Sequence, residues 1–302
     1  MAIIGDCLLD VTVAPAGPIS SGGDTPASIR LAPGGQGANI AVRLARRGVS
    51  VRLVAPVGLD AAGRLVRAGL EDEGVELRAL PGSGGGAVVA LLAADGERTM
   101  LSDRPPFPAH FAPEVTGAVR GTAWVVCSGY ALLDAIGASL AALLADRGSP
   151  RLAIAGCAVP PVSSDLADRI FAARPDLLFV NRAEASALLA DDPPSEDLAE
   201  LSAGLGSRFG ALVIVTDPRD GSALGGGAAP LRVASSEEAT PMIDATGAGD
   251  GYAAAFLAEV IGAAWPLTTD VLRRAMRAGA RAGASVARVH GAQGRVSGEV
   301  PA

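Results

Sequence analysis

The 302-residue chain has no lysine: all 25 of its basic residues are arginine, set against 32 Asp and Glu, for a net charge of −7. Without lysine there is no Walker-A phosphate loop, no protein-kinase strand lysine and no Schiff-base or pyridoxal chemistry. Histidine is almost as scarce. His110 and His290 stand far apart and do not make a multi-histidine metal site. The three cysteines, Cys7, Cys127 and Cys157, show no C-x-x-C spacing, so they form neither a zinc site nor a disulfide framework. The acidic balance argues against binding a nucleic-acid backbone. Aromatic residues are only 3% of the chain, so the core must rest on Ala, Val and Leu. A membrane-spanning helix needs about 20 uninterrupted apolar residues. The most apolar stretch, 124–145, is broken by Gly129, Asp134 and Gly137, and divides into a strand, a turn and a buried helix. The N-terminus lacks a basic signal region, and together with the free cysteines this implies a cytoplasmic location. Any phosphate the protein handles must be held by backbone amides, arginine or a metal.

Short apolar runs alternate with helical patterns. Strands are expected at 3–4, 51–57, 124–127, 151–155, 177–180 and 211–216. Helices are expected at 38–47, 61–73, 131–146, 163–173, 182–189 and 196–209, and two more close the chain at 248–261 and 270–289. This β-α-β-α order predicts an α/β fold: a mostly parallel sheet covered on both faces by helices, with right-handed crossovers. Two stretches break the alternation. Runs at 88–94 and 98–102 flank Asp95-Gly96, a hairpin signal. Runs at 9–14 and 27–31 flank a Pro/Gly/Ser-rich segment. Together they predict a small antiparallel sheet of about four strands, an excursion of the kind that forms ligand-covering lids. Its apolar Val88, Val89, Leu91 and Leu92 would pair with a second lid in a homodimer. The glycine-rich runs 82–86 and 225–229 read as surface turns.

The segment Pro241-Met-Ile-Asp244-Ala-Thr246-Gly247-Ala248-Gly249-Asp250-Gly251 carries the chemistry. A strand ends, a small-residue turn follows and a helix starts. A helix N-terminus leaves N–H groups unpaired, and its dipole favours negative charge. Gly247, Ala248 and Gly249 therefore make a pocket of amides for an anion. Asp250 at its edge can accept the proton of a hydroxyl that attacks phosphorus. Amides holding the transferred group and a carboxylate base suffice for phosphoryl transfer without lysine. The plainer role for Asp250 is a first-turn aspartate favoured by the helix dipole.

Asp244-Ala-Thr-Gly-Ala-Gly-Asp250 resembles the C-terminal signature of the ribokinase-like carbohydrate kinases, D-[TA]-x-G-A-G-D. Gly34-Gly35-Gln-Gly-Ala-Asn39 resembles their N-terminal G-G-x-x-x-N, and Asn181-Arg-Ala-Glu184 their N-x-x-E motif. The three stand in the family's order, and the resemblance covers essentially the whole chain. It implies a single three-layer αβα domain over 1–302, with lid strands in 9–33 and 86–104. It implies a cytoplasmic kinase that uses ATP and magnesium to phosphorylate a primary hydroxyl of a sugar or nucleoside, and no nucleic-acid or membrane partner. By the same resemblance Asp250 is the base, and Gly247, Ala248 and Gly249 form the anion hole. Asp10, Gly34, Gly35, Asn39 and Tyr130 meet the substrate. Asn181, Thr216, Gly221 and Gly249 meet the nucleotide, and Glu184 meets magnesium through water. Asp244 and the carbonyl of Thr246, with Gly291-Ala292-Gln293 nearby, resemble a monovalent-cation site for potassium. The plainer roles are a helix cap for Asn39 and a strand-end turn for Asn181.

Three departures stand out. Pro218 replaces the first glycine of a T-x-G-x-x-G pattern and removes a backbone donor. Arg295 stands where ribokinases often have serine. Leu8 stands where they often place asparagine. Two other classes compete with the kinase: a non-catalytic sugar-binding sensor on the same scaffold, and a nucleotide-cofactor oxidoreductase. The second is disfavoured, because G-x-G-x-x-G is not present and Gly34 does not follow a first core strand. A nucleoside kinase is the main alternative within the enzyme class.

Overall fold

The computed structural model describes residues 1–80, 84–92, 98–108, 113–156, 164–189, 195–227, 230–235 and 242–296. The Asp95-Gly96 turn, His110, Cys157, Pro241 and parts of both glycine-rich runs lie outside the described residues.

Strand β1 (Ala2–Ile4) opens the chain, which then leaves for β2 (Leu8–Pro15) and β3 (Ala27–Gly34). It returns through helix α1 (Gln36–Ala45), β4 (Arg52–Pro56), α2 (Ala61–Asp72) and β5 (Glu76–Leu80). A second excursion, β6 (Ala87–Leu92) and β7 (Arg98–Asp103), leads back to α3 (Pro113–Arg120). Next come β8 (Trp124–Ser128), α4 (Gly129–Leu133), α5 (Gly137–Ala145), β9 (Arg151–Ala155) and α6 (Ser164–Ala173). They are followed by β10 (Leu177–Asn181), α7 (Arg182–Leu189), α8 (Leu198–Phe209) and β11 (Leu212–Asp217). The chain closes with β12 (Gly221–Gly225), β13 (Leu231–Val233), α9 (Ala248–Val260) and α10 (Thr269–Val286).

Among the described residues the main sheet runs β13-β12-β11-β10-β9-β8-β1-β4-β5. It is parallel from β11 to β5, and β12 and β13 add antiparallel at one edge. Successive strand residues point to opposite faces. Ile4, Val54, Val125, Ile154, Val180 and Val215 meet helices α3 to α8 on one side. Ile3, Leu53, Val126, Phe179 and Ile214 meet α1, α2, α9 and α10 on the other. Burial on both faces is why these strands read as unbroken apolar runs. Each fully buried Leu, Ile or Val contributes roughly 1.5–3 kcal/mol. The edge-to-face pair Phe179–Phe256, with centroids 5.3 Å apart, seats α9 on the sheet.

The structure corrects four expectations. The small sheet is not wholly antiparallel: its order is β3-β2-β6-β7, and the central pair β2–β6 is parallel. The single helix expected at 131–146 is two, α4 and α5. Asp134 turns extended between them, and its carboxylate accepts from Phe107 N and Ile136 N. Helix α1 starts at Gln36, because Gly35 adopts a positive φ and opens it. The elements β5, β12, β13 and α3 were not expected. β5 carries Glu76 and Arg78 at the sheet edge, where charge hides a strand pattern.

Candidate active site

Both excursions come back to the main sheet beside the C-terminal end of β1, and the residues there are polar. Asp10 on β2 lies against the turn after β3. A Cβ at Gly34 would overlap the Asp10 carboxyl, so a larger residue there must displace that side chain. Asp6, in the link between β1 and β2, is buried, accepts from Gly37 N at 3.3 Å and lies 3.3 Å from Ser128 Oγ. Its other oxygen is ion-paired with Arg104, just after β7. The Arg104 guanidinium lies 3.8 Å above the Tyr130 ring. Gln36 joins the cluster, accepting from Ser128 Oγ at 2.6 Å and donating to Gly156 O at 2.7 Å. Burial pushes the Asp10 carboxyl up, Asp6 pushes it further and Arg104 pulls it back, leaving it at about 7. Cys7, beside this cluster, is buried and its thiol is pushed up by burial, which keeps it unreactive.

Across the cleft, Gly247 opens α9 with φ at 76°, a conformation that suits glycine. Ala248 N–H bonds Ala245 O at 3.2 Å and Gly251 N–H bonds Gly247 O at 2.8 Å. A Cβ at Gly249 would meet nothing within 4 Å, so the space in front of the turn is open. Asp250 faces the acidic side. Its Oδ2 accepts from Asn39 Nδ2 at 2.8 Å. Asn39 is buried and does not cap α1, so the plainer reading of it does not hold. Burial pushes Asp250 up, the Asn39 bond pulls it back, and Asp6, Asp10 and Glu184 push it further, to about 7.

Behind the Gly247 turn is a cavity of about 800 Å³, lined among others by Asn181, Thr216, Pro218, Gly221, Gly249 and Tyr252. Asn181 caps α7: its Oδ1 accepts from Glu184 N at 2.9 Å, and Glu184 Oε2 accepts from Asn181 N at 2.8 Å. The N-x-x-E motif is thus a reciprocal capping box at the start of α7, where the plainer role expected of Asn181 was a strand-end turn. It also fixes a carboxylate: Glu184 is buried beside Gly156 and pushed up to about 7 by burial. At the Pro218 turn, Asp217 Oδ1 accepts from Arg219 N and Asp220 N at 2.8 and 3.1 Å. These amides are engaged inside the turn. The cavity's cations are Arg182, ion-paired with Asp217 and Asp220, and Arg288.

No group of three or more acidic, histidine or cysteine side chains among the described residues converges as a metal site. Magnesium keeps most of its waters and takes phosphate oxygens plus one or two carboxylates; Glu184, buried beside Gly156, is the carboxylate that would meet it through water. For a monovalent cation the fit is poorer. Asp244 is buried, with Oδ1 accepting from Thr246 N and Oδ2 from Gly291 N, both at 2.9 Å. Two carbonyls of the adjoining loop, those of Ala292 and Gly294, already accept from the Arg43 guanidinium.

The structure therefore brings Asp10, Gly34, Gly35, Asn39, Tyr130 and Asp250 to one side of the Gly247–Gly249 turn. It brings Asn181, Thr216 and Gly221 to the other, and leaves Glu184 buried beside Gly156. Asp6, Gln36 and Arg104 escaped sequence reasoning. Gln36 lay inside the quoted glycine motif. For Arg104 no sequence signal exists, since only the course of β7 brings it to Asp6.

The layered sheet with its separate small sheet is the ribokinase-like α/β fold. A family model described as the pfkB family carbohydrate kinase matches residues 1–297, and the chain belongs to that family. A ribokinase of Arabidopsis thaliana is 27% identical over 241 residues, 76% of this chain and 61% of that protein, so the chain spans less than two thirds of this relative's length. Among solved structures, Arabidopsis thaliana ribokinase complexed with ribose and ATP matches with a TM-score of 0.78 at 23% identity, covering 97% of this chain and 93% of that one. The adenosine kinase from Sinorhizobium meliloti matches with 0.76 at 22% identity, covering 98% and 96%. Phosphofructokinase-2 from Escherichia coli, in complex with potassium, matches with 0.77 at 18% identity, covering 98% and 95%.

Proposed function

We propose that this protein transfers the γ-phosphoryl group of ATP to a primary hydroxyl of a sugar or nucleoside. One observation carries the reading: the Gly247–Gly249 turn stands between a cavity of about 800 Å³ and the acidic cleft that holds Asp10 and Asp250. ATP would lie in the cavity with its terminal phosphate at the turn. The acceptor would lie against Gly34, Gly35 and Asn39, with Asp10 taking its other hydroxyls and Tyr130 and Arg104 at its flank. Asn39 holds Asp250 Oδ2, which leaves Oδ1 to take the proton of the attacking hydroxyl. The acceptor oxygen forms its bond to the γ-phosphorus as the bond to the bridging oxygen breaks, and ADP leaves. The amides of Gly247 and Gly249 would stabilise charge on the transferred group, that of Ala248 being bonded to Ala245 O. Magnesium bound with the nucleotide supplies neutralising charge, and Glu184 would meet it through water.

The small sheet would act as the lid, its strands coming from 9–33 and 86–104 of one domain. Its register puts Val11, Val13, Ile29, Leu31, Val89, Leu91 and Leu101 on one face. Ile29, Leu31 and Leu101 are exposed, whereas Val88 is buried, so this face would pair two lids in a homodimer.

The test is Asp250→Asn, assayed for ADP release with magnesium, ATP and a panel of sugars and nucleosides. A loss of roughly 10²–10⁴-fold is expected, and full retention sinks the reading. Sugar binding with neither ATP binding nor turnover by the wild type would instead make the chain a sensor. Turnover only with nucleosides would make it a nucleoside kinase.

A further inference from the structure

Asn39 and Arg43 lie one turn apart on α1 and face the same way. Arg43 is fully buried, and its Nη2 donates to the carbonyls of Ala292 at 2.7 Å and Gly294 at 2.9 Å. Those carbonyls flank Gln293. Gln293 Nε2 donates back to Asn39 Oδ1 at 3.1 Å, and Asn39 Nδ2 donates to Asp250 Oδ2 at 2.8 Å. The loop is fixed from its other side as well. Gly291 N donates to Asp244 Oδ2 at 2.9 Å, and a Cβ at Gly247 would come 2.6 Å from Ala292 Cβ.

A side-chain amide has one accepting end and one donating end. With Gln293 donating to the oxygen of Asn39, the end turned to Asp250 is its N–H. We propose that Gln293, gripped through its neighbours by Arg43, is a positioning residue that locks the Asn39 amide as a donor to Asp250. The inference rests on the reading of Asp250 as the base.

A donor to a carboxylate favours its charged form, so the lock keeps the base ionised at lower pH. It works against burial and the charged groups that act on Asp250: Asp6 between β1 and β2, Asp10 on β2 and Glu184 on α7. Arg43, the cation on this part of α1, is turned to the loop carbonyls. A Gln293 that served only to hold the loop would, when replaced, lower activity alike at every pH.

The experiment is kcat/KM against pH for Gln293→Leu and Gln293→Glu beside the wild type and Asp250→Asn. Leu keeps the volume and cannot donate, so the Asn39 amide is free to turn. Glu presents an acceptor, draws the Asn39 N–H to itself and turns its oxygen toward Asp250. The acid limb should rise by roughly 1 pH unit with Leu, the size expected for one hydrogen bond to a charged group, and by more with Glu. Activity then falls about tenfold on the acid side and much less on the alkaline side. Limbs that stay at the wild-type position in a folded variant, checked by melting, overturn the inference; the two substitutions differ enough that either one decides it. If Asp250→Asn is inactive and the limb does not move, the lock alone is wrong. If Asp250→Asn keeps its rate, the base assignment itself is wrong.

Discussion

The carboxyl of Asp10 occupies the space that a side chain at position 34 would need, so Gly34 and Asp10 together define one surface of the acidic cleft. Gly34→Ala must push Asp10 aside or move the end of β3. Overpacking of this kind costs about 1–3 kcal/mol. The KM for the acceptor should rise at least about tenfold, a displacement worth about 1.4 kcal/mol of binding, with the KM for ATP little changed. Steady-state kinetics with each substrate varied in turn checks this. Equal effects on both constants would count against the placement of the acceptor.

Asp250, held at about 7, must be ionised to accept a proton. Activity should therefore fall as pH drops below about 7, with log kcat/KM losing about one unit per pH unit. A pH–rate profile that stays flat to about pH 5 would contradict a base with this environment.

Stability should run the other way. Asp10, Glu184 and Asp250 sit at about 7 when folded, against ordinary values of 3.8 and 4.5. An acid raised by folding binds more protons in the folded state between those values. Its contribution is full below the unfolded value and is lost as pH rises through about 7. Carboxyls that arginines or backbone amides hold low, such as Glu73 and Asp60, act in the opposite sense only at or below their ordinary values. The melting temperature of the ligand-free protein should thus decline from about pH 5 to about pH 7, and Asp250→Asn should make the decline shallower. Calorimetry across that window measures both slopes.

Arg104 is the cation paired with buried Asp6, and it stacks on Tyr130. Arg104→Met leaves that carboxylate without its charged partner, at a cost of about 1–3 kcal/mol. It also loosens the return of β7 to the core. The expected result is a lower melting temperature and a raised KM for the acceptor, with ATP binding to the separate cavity unchanged by calorimetric titration.

The exposed apolar face around Ile29 and Leu31 gives a prediction for assembly. Leu31→Asp puts a charge in the middle of that face and should convert a dimer to a monomer. Light scattering over a range of concentrations reads this directly. A wild-type protein that is monomeric throughout would remove the lid interface.

The alternation of strands and helices was legible in the residues because each core strand is buried on both faces and most helices on one, with α1 and α9 buried nearly all round. The turn and helix start at Asp244–Asp250 were equally legible, though no strand ends at that turn among the described residues. A helix start with small residues and a terminal aspartate has local consequences that need no distant partner. The absence of lysine left backbone amides, arginine or a metal as the means of holding any phosphate. The parallel pairing of β2 with β6 and the break at Asp134 were not legible, because sheet register and a kink at a carboxylate depend on what packs beside them. The partners of Asp6 and Asp250 belong to that second kind. Arg104 reaches Asp6 from 98 positions away, Asn39 reaches Asp250 from 211, and Gln293 reaches Asn39 from 254. Hydrogen bonds across such separations exist only once the sheet has closed. The chemistry available at the turn was therefore a property of the residue order. The protonation and orientation of the groups that would use it were decided by tertiary contact, because burial and neighbouring charge, not local sequence, set a carboxyl's proton affinity.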